Sequence, residues 1–322
     1  MPRFVEDQLA RIRDDRERGA AELAEAGLRL MARACSERAE AGREAMLGEA
    51  AELVRRLAAL RPSMAPLGNW AAAFHAALRA NLMDAGPMDA DVPPADVPPA
   101  GACEAVLADL LARKAALSDA LIAGAKPVLG RARGILTLSY SSTVEALLLE
   151  AAAPDCLVIV AESRPLLEGR KLCRSIEAAG RRVRCITDAQ IGLALADADM
   201  ALIGADAVLG DLAVVNKAGS LFAALAARAQ GKPCHAAADT FKIDPLASSA
   251  DAVFEEMAAD EVWPERPEIC ANVYFEPVPA ELIALYLTEK GPLAAARMHD
   301  EVAARRVQRR AAGLDPRDAR PR

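Results

Sequence analysis

Between residues 134 and 245 short apolar runs alternate with polar stops and helix-like stretches. Ile135–Leu138 ends in Ser139-Tyr140-Ser141-Ser142, Leu157–Ala161 in Glu162-Ser163-Arg164, and Val183–Ile186 in Thr187-Asp188. Met200–Ile203 ends in Gly204-Ala205-Asp206, and Cys234–Ala238 in Asp239-Thr240-Phe241-Lys242. Runs of this length separated by helical patterns predict strand-helix units and a mainly parallel sheet. Ligands of such sheets bind beyond the carboxyl ends of the strands, where these polar residues fall. Helices are expected at about 143–153, 167–179, 189–196 and 218–229, with Gly180 and Gly231 suited to the left-handed position past a last turn. A strand near 273–275, a turn at Glu276-Pro277-Val278-Pro279 and an Arg-rich helix over about 292–312 complete the pattern.

Upstream the spacing is helical. Leu9, Ile12, Leu23, Leu28, Leu30 and Met31 recur at helical intervals within a stretch from about residue 7 to 60, and a second stretch covers about 63–83. The near-repeat Asp91-Val92-Pro93-Pro94-Ala95, Asp96-Val97-Pro98-Pro99-Ala100 cannot lie inside a helix and predicts an extended loop near 85–102. Another helix is expected over 103–129. The fold class is therefore α/β: an N-terminal helical domain over 1–128, a mainly parallel sheet domain over 129–296, and a C-terminal helix and tail over 297–322.

Composition narrows the classes. The chain is 53% hydrophobic but 3% aromatic, which favours Ala-rich helices over an aromatic sandwich. A net charge of −7 provides no field for a phosphate backbone, so nucleic acid is not expected as a partner. Seven widely spaced cysteines without a C-x-x-C pair, and three histidines, point to reduced thiols rather than a disulfide framework or zinc site. No metal is expected on that ground, and no cofactor either: the G-x-G-x-x-G of the usual dinucleotide fold and the G-x-x-x-x-G-K-[ST] phosphate loop are both absent. No apolar run reaches the ~20 residues of a membrane span, and the start lacks a signal-peptide core, so a cytoplasmic protein that avoids membranes is the expectation.

Candidate chemistry centres on Gly204-Ala205-Asp206 and Asn216-Lys217-Ala218-Gly219. A strand ending in an acid, then Asn-Lys-x-Gly opening a helix, would gather a carboxylate, an amide, an ammonium and helix N–H groups around a phosphorylated polyol. Equally, Asp206 and Asn216 could simply cap turns. Arg164 at a strand end can present a guanidinium fork to phosphate, or pair with a surface glutamate. Ser139, Tyr140 and Ser141 could bind phosphate, while Ser141 and Ser142 also suit a helix cap. Gly19 interrupts a helical pattern, which would bring Arg18 and the Gly19 amide to a ligand or allow close helix packing. His235, upstream of its strand end, is expected to be a satisfied core or lining histidine.

Taken in order, these motifs resemble the family uniting the α, β and δ regulatory subunits of eukaryotic initiation factor 2B with ribose-1,5-bisphosphate isomerase and methylthioribose-1-phosphate isomerase. The residues that carry the likeness are Leu138-Ser139-Tyr140-Ser141-Ser142-Thr143-Val144, Glu162-Ser163-Arg164-Pro165-Leu166-Leu167-Glu168-Gly169, Ile186-Thr187-Asp188-Ala189, Gly204-Ala205-Asp206, Val215-Asn216-Lys217-Ala218-Gly219, Asp239-Thr240-Phe241-Lys242 and Pro279-Ala280-Glu281-Leu282-Ile283. Arg18-Gly19-Ala20 is similar to the family's N-terminal ligand loop.

The resemblance implies a Rossmann-like fold for the sheet domain over 129–296, a homodimer or higher homo-oligomer, and a phosphorylated sugar or nucleotide as ligand. It assigns substrate binding to Arg18, Gly19, Tyr140, Ser141, Arg164, Asn216, Lys217 and Lys242. In the isomerases a cysteine after the first strand and an aspartate after the fourth form the acid-base pair. Here Asp206 matches the aspartate, but Ser139 stands at the cysteine's place. A thiol ionising at about 8.5 exchanges protons near neutrality, whereas an unactivated serine does not. The first reading is therefore an initiation-factor-2B-like binding protein with little or no isomerase activity. The alternative is an aldose-ketose isomerase acting on a ribose-1-phosphate-type substrate, of the ribose-1,5-bisphosphate or methylthioribose-1-phosphate class.

Overall fold

The structure is a computed structural model that describes residues 2–15, 18–83, 101–250, 254 and 256–311. The Pro-rich repeat and the tail beyond residue 311 lie outside the described residues. The chain divides into two compact units. One holds the residues up to Ala116 together with those from Arg306 onward, and the other is Leu117–Arg305.

The first unit is built from α1 (Arg3–Asp14), α2 (Ala20–Ser36), α3 (Arg43–Leu60), α4 (Ala65–Met83) and the opening turns of α5 (Ala102–Leu129). The helical pattern over residues 7–60 is thus three helices rather than one. It breaks before Gly19, and again at Gly42, whose φ of 95° favours glycine. The apolar spacing read from the sequence is the buried stripe: Leu9, Ile12, Leu23, Leu28, Leu30 and Met31 are all buried, alongside Leu53, Leu57, Phe74 and Leu78. Each such side chain contributes about 2 kcal/mol by leaving water.

The second unit carries β1 (Gly134–Leu138), α6 (Ser142–Glu150), β2 (Leu157–Ala161), α7 (Gly169–Ala178), β3 (Val183–Ile186), α8 (Ile191–Ala194), β4 (Met200–Ile203), β5 (Ala207–Leu209) and β6 (Val214–Lys217). There follow α9 (Ser220–Ala229), β7 (Cys234–Ala237), β8 (Ile243–Asp244), β9 (Phe275–Val278), β10 (Leu285–Thr288), β11 (Gly291–Leu293) and α10 (Ala295–Ala311). The main sheet runs β11-β10-β7-β4-β1-β2-β3 and is parallel except for the β10–β11 hairpin. Counted from the far edge its first six strands follow the 3-2-1-4-5-6 order of doubly wound dinucleotide folds, with the switch point between β1 and β4.

Both faces of the sheet are covered, which is why its strands are continuous apolar runs rather than alternating ones. Leu136, Ile159, Ala201 and Ile203 pack on one face with Ile191, Ala223, Ala227, Met298 and Val302. Ile135, Val158, Val160 and Leu202 pack on the other with Leu121, Ala125, Leu129, Leu147 and Leu172. A second, four-stranded sheet of order β8-β5-β6-β9 accounts for elements the apolar pattern did not reveal. The strand expected near 273–275 is shifted to Phe275–Val278 as β9, so most of the expected turn at 276–279 is strand, and Pro277 sits on this edge strand opposite Val215.

Candidate functional site

The switch point is crowded with polar groups. Ser139, the first residue after β1, is buried and adopts φ 61°, and its N–H donates to the Ala161 carbonyl at 3.3 Å. Tyr140 Oη donates to Glu145 Oε2 at 2.9 Å, and Lys171 Nζ lies 3.7 Å from the centre of the Tyr140 ring. Ser141 is the N-cap of α6, its Oγ accepting from the Val144 N–H at 3.4 Å, so the capping role holds for this serine.

Across the switch point stands Gly204, just past β4. A Cβ added there would lie 3.1 Å from Ser141 Oγ and 3.3 Å from Asn216 Oδ1. Three sequence segments therefore meet at one glycine. Asp206 is half-buried, and its N–H donates to the Val215 carbonyl at 2.8 Å, which fixes it beside Asn216 where β5 meets β6. Parallel pairing of Val208 with Ile243 draws Lys242, the residue before β8, toward this end of β5. Lys242 is 3% exposed, and among the described residues no hydrogen bond or ion pair reaches its ammonium.

Asn216 and Lys217 lie in β6 and do not open the following helix, which starts at Ser220 after left-handed Gly219. Two of the N–H groups at this helix start are already taken. Glu276 Oε1, from β9, accepts from Gly219 N–H at 2.7 Å and from Leu221 N–H at 2.8 Å. The protein's own carboxylate thus takes the place that the helix dipole offers to an anion. Buried Lys217 pairs with Glu168 Oε1 at 2.8 Å and lies 4.0 Å from the centre of the Tyr274 ring. Asn216 Nδ2 donates to Ser220 Oγ at 2.8 Å.

After β2, Arg164 is exposed and its guanidinium donates to the Val262 carbonyl at 2.9 Å. The Arg-Glu pair in this loop is formed by Arg170 with Glu162, at 2.6 Å. Asp188, after β3, accepts from the N–H groups of both Ser163 and Arg164 at 2.8 Å each, and the Arg164–Pro165 bond is cis. Ser163 Oγ and Glu168 Oε2 are buried and, among the described residues, have no hydrogen-bond partner.

Arg18 and Gly19 belong to the first unit. Arg18 Nε pairs with Asp15 Oδ2 at 2.9 Å, and the Gly19 N–H donates to Glu22 Oε2 at 3.1 Å as the start of α2. Space around the Gly19 Cα is open, so close packing is not the reason for this glycine. His235 is buried on β7, a core histidine as expected, and among the described residues its Nδ1 has no hydrogen-bond partner. Burial pushes its imidazole down to about 4. Among the described residues no cluster of three or more His, Cys, Asp or Glu residues is placed to hold a metal ion.

Sequence reasoning missed Glu276 and Tyr274. Glu276 was hidden in an E-P-V-P string that reads as a turn, and no local signal ties it to a helix 55 residues away.

The sheet order and the polar mouth at its switch point define a Rossmann-like α/β protein. The profile of the Initiation factor 2 subunit family matches residues 16–295, and the chain belongs to that family, as the sequence motifs indicated. An eIF-2B subunit 2-like protein of Pyrococcus horikoshii is 37% identical over 160 residues, which are 49% of this chain and 56% of that relative. A counterpart from Pyrococcus furiosus is 35% identical over 159 residues, again 49% of this chain and 56% of the other. The match thus spans little more than half the length of these curated relatives.

Among solved structures, translation initiation factor eIF-2B from Pyrococcus horikoshii aligns with TM-score 0.76 and 27% identity over 92% of this chain and 99% of its own. The δ subunit of eIF-2B from A. fulgidus gives 0.67 and 22%, over 93% and 91%. The 5-methylthioribose 1-phosphate isomerase of Pyrococcus horikoshii gives 0.66 and 19%, over 93% and 86%. The last two identities show a shared fold alone. No helix among the described residues is long and apolar enough to cross a membrane.

Proposed function

We propose that this protein binds a phosphorylated sugar or nucleotide at the β1–β4 switch point and has little or no aldose-ketose isomerase activity. The observation that carries the reading is Lys242. The residue is 3% exposed and among the described residues no hydrogen bond or ion pair takes its ammonium, so an anionic ligand would meet an uncommitted cation beside Asp206 and Asn216. Asp206 and Asn216 supply acceptors and donors for hydroxyl groups, with Ser141 as the floor. Ser139 keeps the family position of the isomerases' thiol, but its hydroxyl is too weak an acid to share the proton transfer.

The test is thermal stabilisation by ribose phosphates, methylthioribose 1-phosphate and nucleoside monophosphates. A true ligand at about a hundred times its dissociation constant adds about 2.7 kcal/mol, and Lys242→Met removes that gain. No stabilisation by any of them overturns the reading.

A second reading, an active isomerase with Asp206 moving the proton, is favoured by the position of Asp206 at the mouth. Turnover by the native protein that disappears in Asp206→Asn and survives Ser139→Ala would establish it. Activity gained only in Ser139→Cys would instead show that the thiol alone is missing.

A further inference from the structure

Two of the seven cysteines lie on neighbouring elements whose ends support this site. Cys173 lies in α7 and Cys185 in β3, the edge strand of the main sheet, and α7 packs along that strand. Gly180, with φ 72°, turns the chain sharply between them: its N–H bonds the Glu177 carbonyl and the Arg181 N–H bonds the Ile176 carbonyl. Cys173 packs on the core face that holds Val160 and Val183, and Cys185 is the ladder partner of Val160, so both thiols stand on the same face of the sheet, Cys173 half-buried and Cys185 exposed.

A second thiol pair, Cys35 with Cys103, provides an internal contrast. Their chain neighbours Ser36 and Glu104 are joined by a hydrogen bond of 2.9 Å, but the two cysteines are 0% and 1% exposed. An oxidant therefore reaches one pair and not the other.

We propose that Cys173 and Cys185 form a reversible intramolecular disulfide, a redox-responsive clamp between α7 and β3. The oxidant is a small-molecule disulfide. Exposed Cys185, as thiolate, attacks it, forming a mixed disulfide and releasing one thiol. Cys173 then gives up its proton and attacks Cys185 Sγ, releasing the second thiol. Two protein thiols are oxidised to one disulfide as one small disulfide is reduced to two thiols. Burial and the neighbouring sulfur push the Cys173 thiol up to about 12, which fits the slower, resolving role.

The clamp joins two supports of the candidate site. Glu168, the partner of Lys217, immediately precedes α7, and Asp188, which holds the Ser163 and Arg164 N–H groups, follows β3. The chemistry itself does not depend on which ligand the site takes.

The test treats the native full chain with glutathione disulfide, alkylates the remaining thiols and maps tryptic peptides. The seven thiols of the reduced chain fall by two, and Leu172–Arg174 is recovered linked to Cys185–Lys217. Dithiothreitol reverses the loss, Cys185→Ser abolishes the link, and Cys270→Ser leaves it intact. Seven thiols surviving treatment, loss confined to Cys35 and Cys103, or a glutathione adduct on Cys185 that never resolves would each overturn the proposal.

Discussion

Lys217 Nζ stands 2.8 Å from Glu168 Oε1, tying the loop after β2 to the last residue of β6. The lysine side chain is 7% exposed and the glutamate 24%, so removing either charge strands the other in a poorly hydrated place. Glu168→Gln is expected to destabilise the protein by about 2 kcal/mol in urea unfolding. The double variant Glu168→Leu with Lys217→Met should lie closer to the native protein than either single change. Additive losses would mean that the pair is not coupled.

Glu276 plays the anion at the start of α9. Glu276→Ala leaves two N–H donors without their acceptor and should lower stability by about 1–2 kcal/mol. Inorganic phosphate should then restore part of the loss in the variant and leave the native protein unaffected. Equal response of both proteins to phosphate would show that the carboxylate does not block that helix end.

Two glycines separate binding from folding. At Gly204 an added methyl would crowd Ser141 Oγ at 3.1 Å and Asn216 Oδ1 at 3.3 Å, both side-chain atoms able to give slightly. Gly204→Ala should fold with a loss of about 1 kcal/mol or less while ligand stabilisation disappears. At Gly169 the same methyl would lie 2.1 Å from the Ala161 carbonyl oxygen, which is backbone and cannot move aside. Gly169→Ala should cost about 3 kcal/mol or more, read from the denaturant midpoint.

His235 makes stability depend on pH. Its folded imidazole is pushed by burial from 6.5 to about 4, so the neutral form is the folded one. The contribution is fully present above the unfolded value and is lost as pH falls from there toward the folded one. Between about pH 7.5 and about pH 5 this single group should remove about 2 kcal/mol. In His235→Gln that part of the slope should vanish; an unchanged slope would assign the acid sensitivity elsewhere.

The strands of the main sheet were legible because Ile135–Leu138, Leu157–Ala161 and Met200–Ile203 are buried on both faces and so form unbroken apolar runs. The second sheet was not, since β5 and β8 have three and two residues and β9 contains Pro277. That sheet carries the chemistry with it. Asn216-Lys217 read as a helix opening because Gly219 does start α9, yet the two residues before Ala218 belong to a ladder. Partners such as Glu276 depend on long-range pairing, which local spacing does not encode. Arg164 stood at the expected strand end, but where its guanidinium points is decided by Val262, 98 residues on.

In an ordinary doubly wound protein the chain leaving the fourth strand forms a short loop before the next helix. Here residues 204–219 make an excursion that builds β5 and β6 before α9 begins. Loops grip by closing, and each closure gives up conformational freedom when a guest arrives. A hydrogen-bonded ribbon has surrendered that freedom already, at folding, so any ligand of this mouth would meet a preset outline that a poor fit could not remodel.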